Sequence, residues 1–233
     1  MKTLYKKELN YYLNNPIGYI ILVLFGVFAN FLFVKDIFVV GSASMKPFFS
    51  FLPWLLLVFI PALTMRIFAE EKRTNTIEVL LTLPVSETQI VLAKFFTLVT
   101  VTGLGLILTF GLPLTLSILT KVYYPEILIG YLGTFLFSCA LISLSMFFSQ
   151  QTKNQIVSFL SSIIVIFFLL VLANDFSASV FPRFIQDNLV GLTPIYHFQN
   201  FIKGIVDFKS LIYFLSFIAV FLFLTIVDLE KRN

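Results

Sequence analysis

Residues 66–94, RIFAEEKRTNTIEVLLTLPVSETQIVLAK, decide how the rest of the chain is organised. The stretch joins two long apolar runs, and it contains four acidic and four basic residues. Asn75 stands three residues before Glu78, which is the spacing of a capping box and predicts the start of a helix. Pro84 predicts the end of that helix, because proline has no amide N–H and disfavours helix in the residue before it. We therefore expect the chain to leave the membrane, form one short helix and re-enter.

The short helix predicted between Asn75 and Pro84 is amphipathic. Ile77, Leu80 and Leu81 follow at helical spacing and share one face. An isolated helix in water needs roughly 12–15 residues to be stable, and this one is shorter. We therefore expect it to rest on the lipid surface or on a partner protein.

The composition excludes a water-soluble fold. Hydrophobic residues make up 59% of the chain, charged residues 12%, and the mean hydropathy is +0.98. Average globular chains contain roughly 25% charged residues, so the predicted class is an all-α polytopic membrane protein. The net charge of +4 is distributed along the chain rather than gathered into one patch, which indicates no nucleic-acid partner. Cys139 is the single cysteine, so no intramolecular disulfide can form.

Six apolar runs are long enough to span a membrane. The first follows Asn15 and Pro16, which suit a helix cap and a first helical position, and the third follows a second capping box of Ser86 and Gln89. The predicted spans are about 17–34, 48–65, 95–119, 127–148, 156–173 and 211–227. Six spans place both termini on one side, and if that side is inside, 10 of the 16 lysine and arginine residues lie inside. The positive-inside rule then predicts that both termini and residues 66–94 are cytoplasmic.

Residues 1–15 predict an amphipathic helix at the membrane surface. Its apolar side consists of Tyr5, Leu9, Tyr12 and Leu13, and its polar side contains Lys2, Lys6, Lys7 and Glu8. The residues alone leave two interpretations for this helix, a membrane anchor or a docking helix.

Residues 174–210 connect the fifth and sixth predicted spans and form the predicted outer loop. The segment is too polar to span a membrane and too apolar to lie free in water, which predicts one or two short interfacial or re-entrant helices. His197 in this outer loop has two interpretations. It either contacts a substrate at the outer mouth, or packs as an aromatic-like side chain with Tyr196 and Phe198.

The sequence offers little chemistry of its own. No Asp, Glu, Lys, Arg or His lies within the six predicted spans, whereas ion-coupled transporters normally keep such residues at membrane depth. The chain has one histidine, which excludes an HExxH zinc site, and it has no GxxxxGKS/T phosphate-binding loop. We therefore expect no catalytic residue and no metal or cofactor site in this chain. Any ATP that it uses is expected to bind to another subunit.

The string FAEEKRTNTIEVLLTLPVSETQIVLAK resembles the cytoplasmic loop of ABC-2-type exporter permeases. In that family a Glu-rich end of the second helix precedes Gly-Thr-x-Glu-x-Leu-Leu, a Pro-Val/Ile-Ser turn and Leu-Gly-Lys. The matching positions here are Glu70, Glu71, Thr76, Glu78, Leu80, Leu81, Pro84, Val85, Ser86 and Lys94. Asn75 and Ala93 each replace a glycine of the family pattern, and asparagine caps helices at least as well as glycine.

Two other parts of the chain are similar to the gliding-motility-associated branch of that family. The first is Asn14–Tyr19, where the chain enters the first predicted span. The second lies in the outer loop and consists of residues 196–198 and 203–207. The resemblance thus reaches from one end of the chain almost to the other.

The resemblance implies a six-helix half-transporter that pairs with a second permease copy or a paralogue, with two cytoplasmic ABC ATPase subunits bound below. The helix from Asn75 to Leu83 would be the coupling helix, seated on the ATPase, and residues 1–15 would flank it, which favours the docking interpretation. The implied ATPase-coupling residues are Glu70, Glu71, Asn75, Thr76, Ile77, Glu78, Leu80, Leu81, Pro84, Ser86 and Lys94.

The expected function is that of a non-catalytic permease subunit of an ABC-2 exporter in a bacterial plasma membrane, surrounded by membrane lipids. ATP would be hydrolysed by the partner subunit. One alternative is a membrane-embedded anchor or assembly factor of a motility or secretion complex that transports nothing itself. An ion-coupled secondary transporter is a further alternative, but it would need ionisable groups within the spans.

Overall fold

The computed structural model describes residues 1–40, 44–77, 85–120, 122–172 and 190–231. The regular elements in these ranges are helices, and none of the described residues forms a β-strand. In chain order they are α1 (Lys2–Asn14), α2 (Pro16–Val40), α3 (Lys46–Thr64), α4 (Ala69–Arg73), α5 (Glu87–Ile107), α6 (Gly111–Leu119), α7 (Tyr124–Gln151), α8 (Gln155–Val171), α9 (Pro194–Ile202) and α10 (Phe208–Glu230).

Local sequence accounts for where several helices begin. Ser86 has the extended backbone of an N-cap, and its hydroxyl accepts a hydrogen bond from the Gln89 amide at 3.4 Å, as the capping spacing predicts. The side chains of Asn154 and Asp207 accept equivalent amide hydrogen bonds and start α8 and α10. α2 begins at Pro16, where the missing amide N–H costs nothing.

Four helical stretches of the described chain are long and apolar enough to cross a membrane. They are Lys46–Arg73, Glu87–Leu119, Tyr124–Gln151 and Phe208–Glu230. The pair Lys2–Asn14 and Gly18–Val34, bent by 67°, meets the same test when taken together, and Gln155–Val171 is apolar but shorter. The described residues therefore contain four or five candidate spans of a multi-pass membrane protein, and the six-span count stays a prediction.

α7 is the central helix of the bundle. It packs against α3, α5, α8, α9 and α10, and most of its side chains are buried. Two of its glycines permit unusually close approach: a Cβ added at Gly130 would lie 2.3 Å from the Phe49 ring, and one at Gly133 would lie 2.3 Å from Phe201. Aromatic rings of α3 and α9 thus occupy the space that side chains on α7 would otherwise take.

The two ends of the bundle are closed differently. At the end where α7 begins, the Glu126 carboxylate accepts hydrogen bonds from the Ser44 hydroxyl at 2.9 Å and the Met45 amide at 3.0 Å. α9 packs at the same end and buries His197, Phe198 and Phe201. α9 is one short helix of the kind expected in residues 174–210, and residues 173–189 lie outside the described part of the chain.

At the opposite end, the chain leaves α3, turns through residues 65–68 and forms α4. The Ser149 hydroxyl of α7 accepts hydrogen bonds from the Phe68 and Ala69 amides at 3.2 and 3.3 Å, and it lies 3.2 Å from the Met65 carbonyl, to which it donates. α1 packs against α5 and α2 at this end. Three parts of the chain that are distant in sequence therefore meet there.

Candidate functional site

A buried lysine forms the centre of the α1 end of the bundle. Lys94, near the start of α5, is 1% exposed, and its Nζ lies 2.7 Å from Glu71 Oε1 and 3.1 Å from Glu8 Oε1. It also donates a hydrogen bond to the Ile67 carbonyl at 3.1 Å. An ammonium group has three protons, so each finds an acceptor. We call Lys94, Glu8 and Glu71 the Lys94 cluster.

The surroundings of the Lys94 cluster favour a charged lysine. The Phe68 ring lies beside the ammonium, with 5.4 Å from Nζ to the ring centroid, which adds a cation–π contact. Two carboxylates face one ammonium, so the cluster carries one excess negative charge. The second oxygen of Glu71, Oε2, is buried and has no hydrogen-bond partner among the described residues.

The cluster joins three elements that the sequence separates. Glu8 belongs to α1, Glu71 to α4 and Lys94 to α5; the two ion pairs span 86 and 23 residues of sequence. Removing one partner of a buried ion pair typically costs about 3–5 kcal/mol, because a charge is left without compensation. The cluster therefore holds α1, α4 and the first turns of α5 in one arrangement.

Glu70, the neighbour of Glu71, has a different environment. Its carboxylate lies 3.9 Å from Arg66 Nε, one helical turn earlier, and accepts a hydrogen bond from the Tyr11 hydroxyl at 3.4 Å. Arg66 Nε also donates to Gln155 Oε1 at 3.3 Å, which connects this segment to α8. Glu70 is partly exposed, so we assign its contacts a smaller energetic weight than those of Glu71.

α1 is attached to the bundle by more than the ion pair. The Tyr12 hydroxyl donates to the Leu63 carbonyl at 2.9 Å, and the Tyr5 hydroxyl lies 2.9 Å from Thr100 Oγ1. Leu4, Glu8 and Tyr12 are the buried side chains of the helix. They recur every fourth residue and thus lie on one face.

Glu8 is the residue that sequence reasoning misplaced. The sequence pattern assigned it to the polar side of α1 with the lysines, yet it is 7% exposed and paired with Lys94. The spacing of Leu4, Glu8 and Tyr12 was the available signal. That spacing indicates a buried Glu8 only when Lys94 is known to be its partner, and no local sequence pattern connects Lys94 to residue 8.

Asn75 has a conformation that the capping pattern did not anticipate. Its φ is +56°, in the left-handed region, whereas an N-cap residue has an extended backbone. Asn75 directly follows Thr74, the C-cap of α4, so it takes the place where helices commonly end in a left-handed glycine or asparagine. The left-handed backbone explains why asparagine can replace the family's glycine here. Residues 76–77 directly after it are helical and Glu78 lies outside the described part of the chain, so the N-cap role of Asn75 stays a prediction.

The segment from Asn75 to Ser86, which we call the coupling segment, is described only at its two ends. Thr76 Oγ1 lies 2.9 Å from Thr74 Oγ1, Ile77 is buried, and Ser86 caps α5. The remaining predicted coupling residues lie outside the described part of the chain; they are Glu78, Leu80, Leu81 and Pro84. Glu70, Glu71, Thr76 and Lys94 gather beside α1, whereas Ser86 lies two turns before Lys94 on the same helix.

A cavity of about 290 Å³ opens beside the Lys94 cluster, between α1 and residues 66–76. Its polar lining includes Lys7, Tyr11, Arg66, Glu70, Glu71 and Thr76. Both signs of charge are present, which suits a polar protein surface better than an apolar ligand. Among the described residues, no group of three or more His, Cys, Asp or Glu side chains could hold a metal ion.

His197, at the other end of the bundle, is enclosed by its neighbours. Its Nε2 donates to the Gly191 carbonyl at 2.9 Å, its Nδ1 lies 3.2 Å from the Ser210 hydroxyl, and its ring stacks on Tyr213 at 4.1 Å. Burial lowers the pKa of the imidazole below its ordinary value. This geometry favours the packing interpretation. The expected contact with the Tyr196 ring is present, edge-on at 5.3 Å, whereas Tyr213 and Ser210 are the partners in place of Phe198.

A family model described as "ABC-2 family transporter protein" matches residues 2–227, which covers α1 to most of α10 and the whole Lys94 cluster. No curated protein matches the chain.

Proposed function

The chain belongs to the ABC-2 family of transporters, and from this premise we propose that it is the membrane-spanning permease subunit of an ATP-driven exporter. The family is a transport component rather than a catalyst. ATP would be hydrolysed by a separate cytoplasmic ABC subunit, since this chain has no phosphate-binding loop. A second permease copy or a paralogue would complete the transporter.

The Lys94 cluster is the observation that supports a coupling role. In this proposal the ATPase contacts the segment after Asn75 and displaces it during its cycle. Glu71, four residues before Asn75, is bound to Lys94 near the base of a membrane span and, through Lys94, to Glu8. A displacement of α4 would therefore move α5 and α1 together, as a rigid body rather than as three separate elements.

The distribution of lysine and arginine residues supports one orientation of the Lys94 cluster across the membrane. The positive-inside rule favours an arrangement in which the α1 end of the bundle, with residues 66–94, faces the cytoplasm. We propose a bacterial plasma membrane with both termini on that side. The mixed charges of the cavity beside the cluster then face the compartment that contains the ATPase.

The first experiment tests whether an ATPase docks on the coupling segment. We expect Leu81→Asp to abolish co-purification of the ATPase, because helical spacing places Leu81 on the apolar face with Ile77 and Leu80. Val79→Asp is the matched control, since Val79 lies on the opposite side of the same predicted helix. Membrane insertion should be normal for both variants. Full ATPase binding by Leu81→Asp would show that the segment only connects two spans along the membrane surface and does not bind the ATPase.

The second experiment separates docking from transmission. In vesicles that contain the permease and its ATPase, we expect Glu71→Gln to retain ATPase binding and to lose most of the transport that accompanies ATP hydrolysis. Glu70→Gln is the control, because Glu70 lies one residue earlier and has no contact with Lys94. This variant should retain most of the ATP-dependent transport. An anchor or assembly factor would show no ATP-dependent transport with either variant or with the unmodified chain.

A further inference from the structure

A second groove lies on the other side of α1 from the charged cavity. It has a volume of about 340 Å³ and is lined by Met1, Lys2, Tyr5, Phe96 and Thr100. The Thr100 hydroxyl donates to the Phe96 carbonyl at 2.8 Å, so it accepts from the Tyr5 hydroxyl at 2.9 Å. The polar atoms at the floor of the groove are therefore satisfied, and its walls are largely apolar.

An exposed apolar track continues from this groove along α5. Phe96, Leu104 and Ile107 are 46%, 39% and 60% exposed, and helical spacing places them on one face with Thr100 and Gly103. A Cβ at Gly103 would meet its nearest neighbour, Phe135, only at 3.9 Å, so the track is open there. From Phe96 to Ile107 the track is roughly 16 Å long at 1.5 Å per residue. This length is similar to one leaflet, or half of the ~30 Å hydrocarbon core.

The rim of the groove is cationic. Lys2 lines the groove and is exposed. Lys6 is also exposed and lies one helical turn after Lys2, next to the groove residue Tyr5, whereas Lys7 lines the charged cavity on the other side. Neither Lys2 nor Lys6 forms an ion pair with a described residue. The single acid of α1, Glu8, is buried against Lys94 and does not neutralise them.

We propose that this groove binds one anionic phospholipid from the leaflet on the α1 side. Lys2 and Lys6 would bind the phosphate headgroup, and an acyl chain would lie along the track from Phe96 to Ile107. A second copy of the chain would cover the apolar track but not the lysines. An acidic protein surface would pair with the lysines but not with an apolar track at membrane depth. A lipid with a negative headgroup fits both features.

The bound lipid would clamp α1 against α5 next to the Lys94 cluster. The inference needs only the membrane-spanning architecture and does not depend on the proposed coupling role. Its failure would leave the proposed exporter function untouched.

A fluorescence experiment with the full chain in vesicles tests this site. The chain has one tryptophan, so Trp54→Phe combined with Phe96→Trp puts a single fluorophore in the groove. Quenching is compared between dibrominated phosphatidylglycerol and dibrominated phosphatidylcholine in phosphatidylcholine vesicles. We expect a preference for phosphatidylglycerol, reduced about fivefold by each of Lys2→Gln and Lys6→Gln, since a basic residue near anionic lipid contributes about 1 kcal/mol.

Lys7→Gln is the matched control, because it removes the same charge from the opposite side of the same helix. It should change the preference by less than about twofold, as a more distant charge acts through screened attraction only. Equal quenching by both lipids, an equal effect of Lys7→Gln and Lys2→Gln, or a preference that survives both groove substitutions would overturn the proposal. Absence of quenching by either lipid would also overturn it, and would indicate a protein occupant.

Native mass spectrometry of the chain with its natural tryptophan and phenylalanine gives an independent measurement. Purified in the presence of phosphatidylglycerol, the unmodified chain should retain one more lipid molecule than the variant with both Lys2→Gln and Lys6→Gln. Equal retention by the two proteins would contradict the proposal even if the tryptophan variant folded poorly.

Discussion

At the residue scale, the main feature is a lysine enclosed at the end of a membrane bundle with two carboxylates. Such a group is not an efficient way to gain stability, because desolvation of the charges offsets much of their attraction. Its effect is specificity: the ammonium of Lys94 is satisfied only when Glu8, Glu71 and the Ile67 carbonyl are all in place. An apolar contact of similar size would tolerate sliding of α1 along α5.

The pairing predicts a strong, non-additive effect of substitution. Lys94→Met should destabilise the protein by about 3–5 kcal/mol, because it leaves two carboxylates without their cation. Glu8→Gln should cost less, since Glu71 still pairs with Lys94. In the double variant Glu8→Gln/Lys94→Met the loss should be smaller than the sum of the single losses. Thermal unfolding in detergent checks this, and strictly additive losses would show that the two residues do not interact.

His197 predicts a pH dependence whose sign follows from its burial. Its pKa is lowered in the folded protein, mainly by desolvation, with Lys209 acting in the same direction and Asp207 and the Gly191 carbonyl opposing. The neutral imidazole therefore contributes stability that is complete above the unfolded pKa, about 6.5, and is lost as the pH falls through the folded pKa.

We expect Tm to fall between pH 7.5 and pH 5.5 in the unmodified chain, and to fall less in His197→Gln. The chain has one histidine, so a difference in slope between the two proteins in this window reports on that residue. Parallel pH profiles would mean that the imidazole titrates in the folded protein as it does in the unfolded chain.

At the element scale, the helices differ in how far their sequence determines them. The starts of α2 at Pro16 and of α5 after Ser86 could be predicted, because a cap involves only residues within one turn. The separate helix α4 and its left-handed end could not, because the same letters also fit a capping box for the next helix. The burial of Glu8 could not be predicted from local sequence either, because its partner Lys94 lies 86 residues away.

The left-handed Asn75 gives a direct test of this difference. Asn75→Gly should leave stability unchanged or slightly improved, since glycine adopts positive φ without strain. Asn75→Ala should cost about 1–2 kcal/mol, because its Cβ clashes in that conformation. If Asn75 instead acted as an N-cap, both substitutions would remove its side-chain hydrogen bond, and glycine would offer no advantage of this size. Thermal unfolding of the two variants beside the unmodified chain distinguishes the two roles.

At the scale of the whole molecule, the bundle has two chemically different ends. The α1 end contains the Lys94 cluster, Arg66 and the charged cavity, whereas the other end contains α9, the enclosed His197 and the Glu126 contacts. The composition alone predicted an all-helical membrane protein, because so few charged residues leave no other class. The predicted number of membrane crossings is harder to check against the structure. α8 is short for a span, and residues 173–189 lie outside the described part of the chain.

The chain's single cysteine makes it possible to test which end of the bundle faces which compartment. Cys139 is buried, so Cys139→Ser provides a background without reactive thiols. Exposed cysteines are then placed at Lys153, in the α7–α8 loop of the α1 end, and at Lys203, after α9 at the other end. With six spans and cytoplasmic termini, a membrane-impermeant maleimide added to intact cells should label Lys203→Cys and spare Lys153→Cys.

Breaking the inner membrane should expose Lys153→Cys to the reagent and leave Lys203→Cys unchanged. A reporter fused after Asn233 should in turn be active only as a cytoplasmic fusion. Labelling of Lys153→Cys in intact cells would show that the bundle has the opposite orientation, with the Lys94 cluster on the side of the membrane that lacks ATP. A C-terminal reporter active only outside would likewise put the α1 end outside, because α10 runs parallel to α7 and ends at that end of the bundle. Either result would contradict the proposal that an ATPase acts on α4, because the energy source and the cluster must share a compartment.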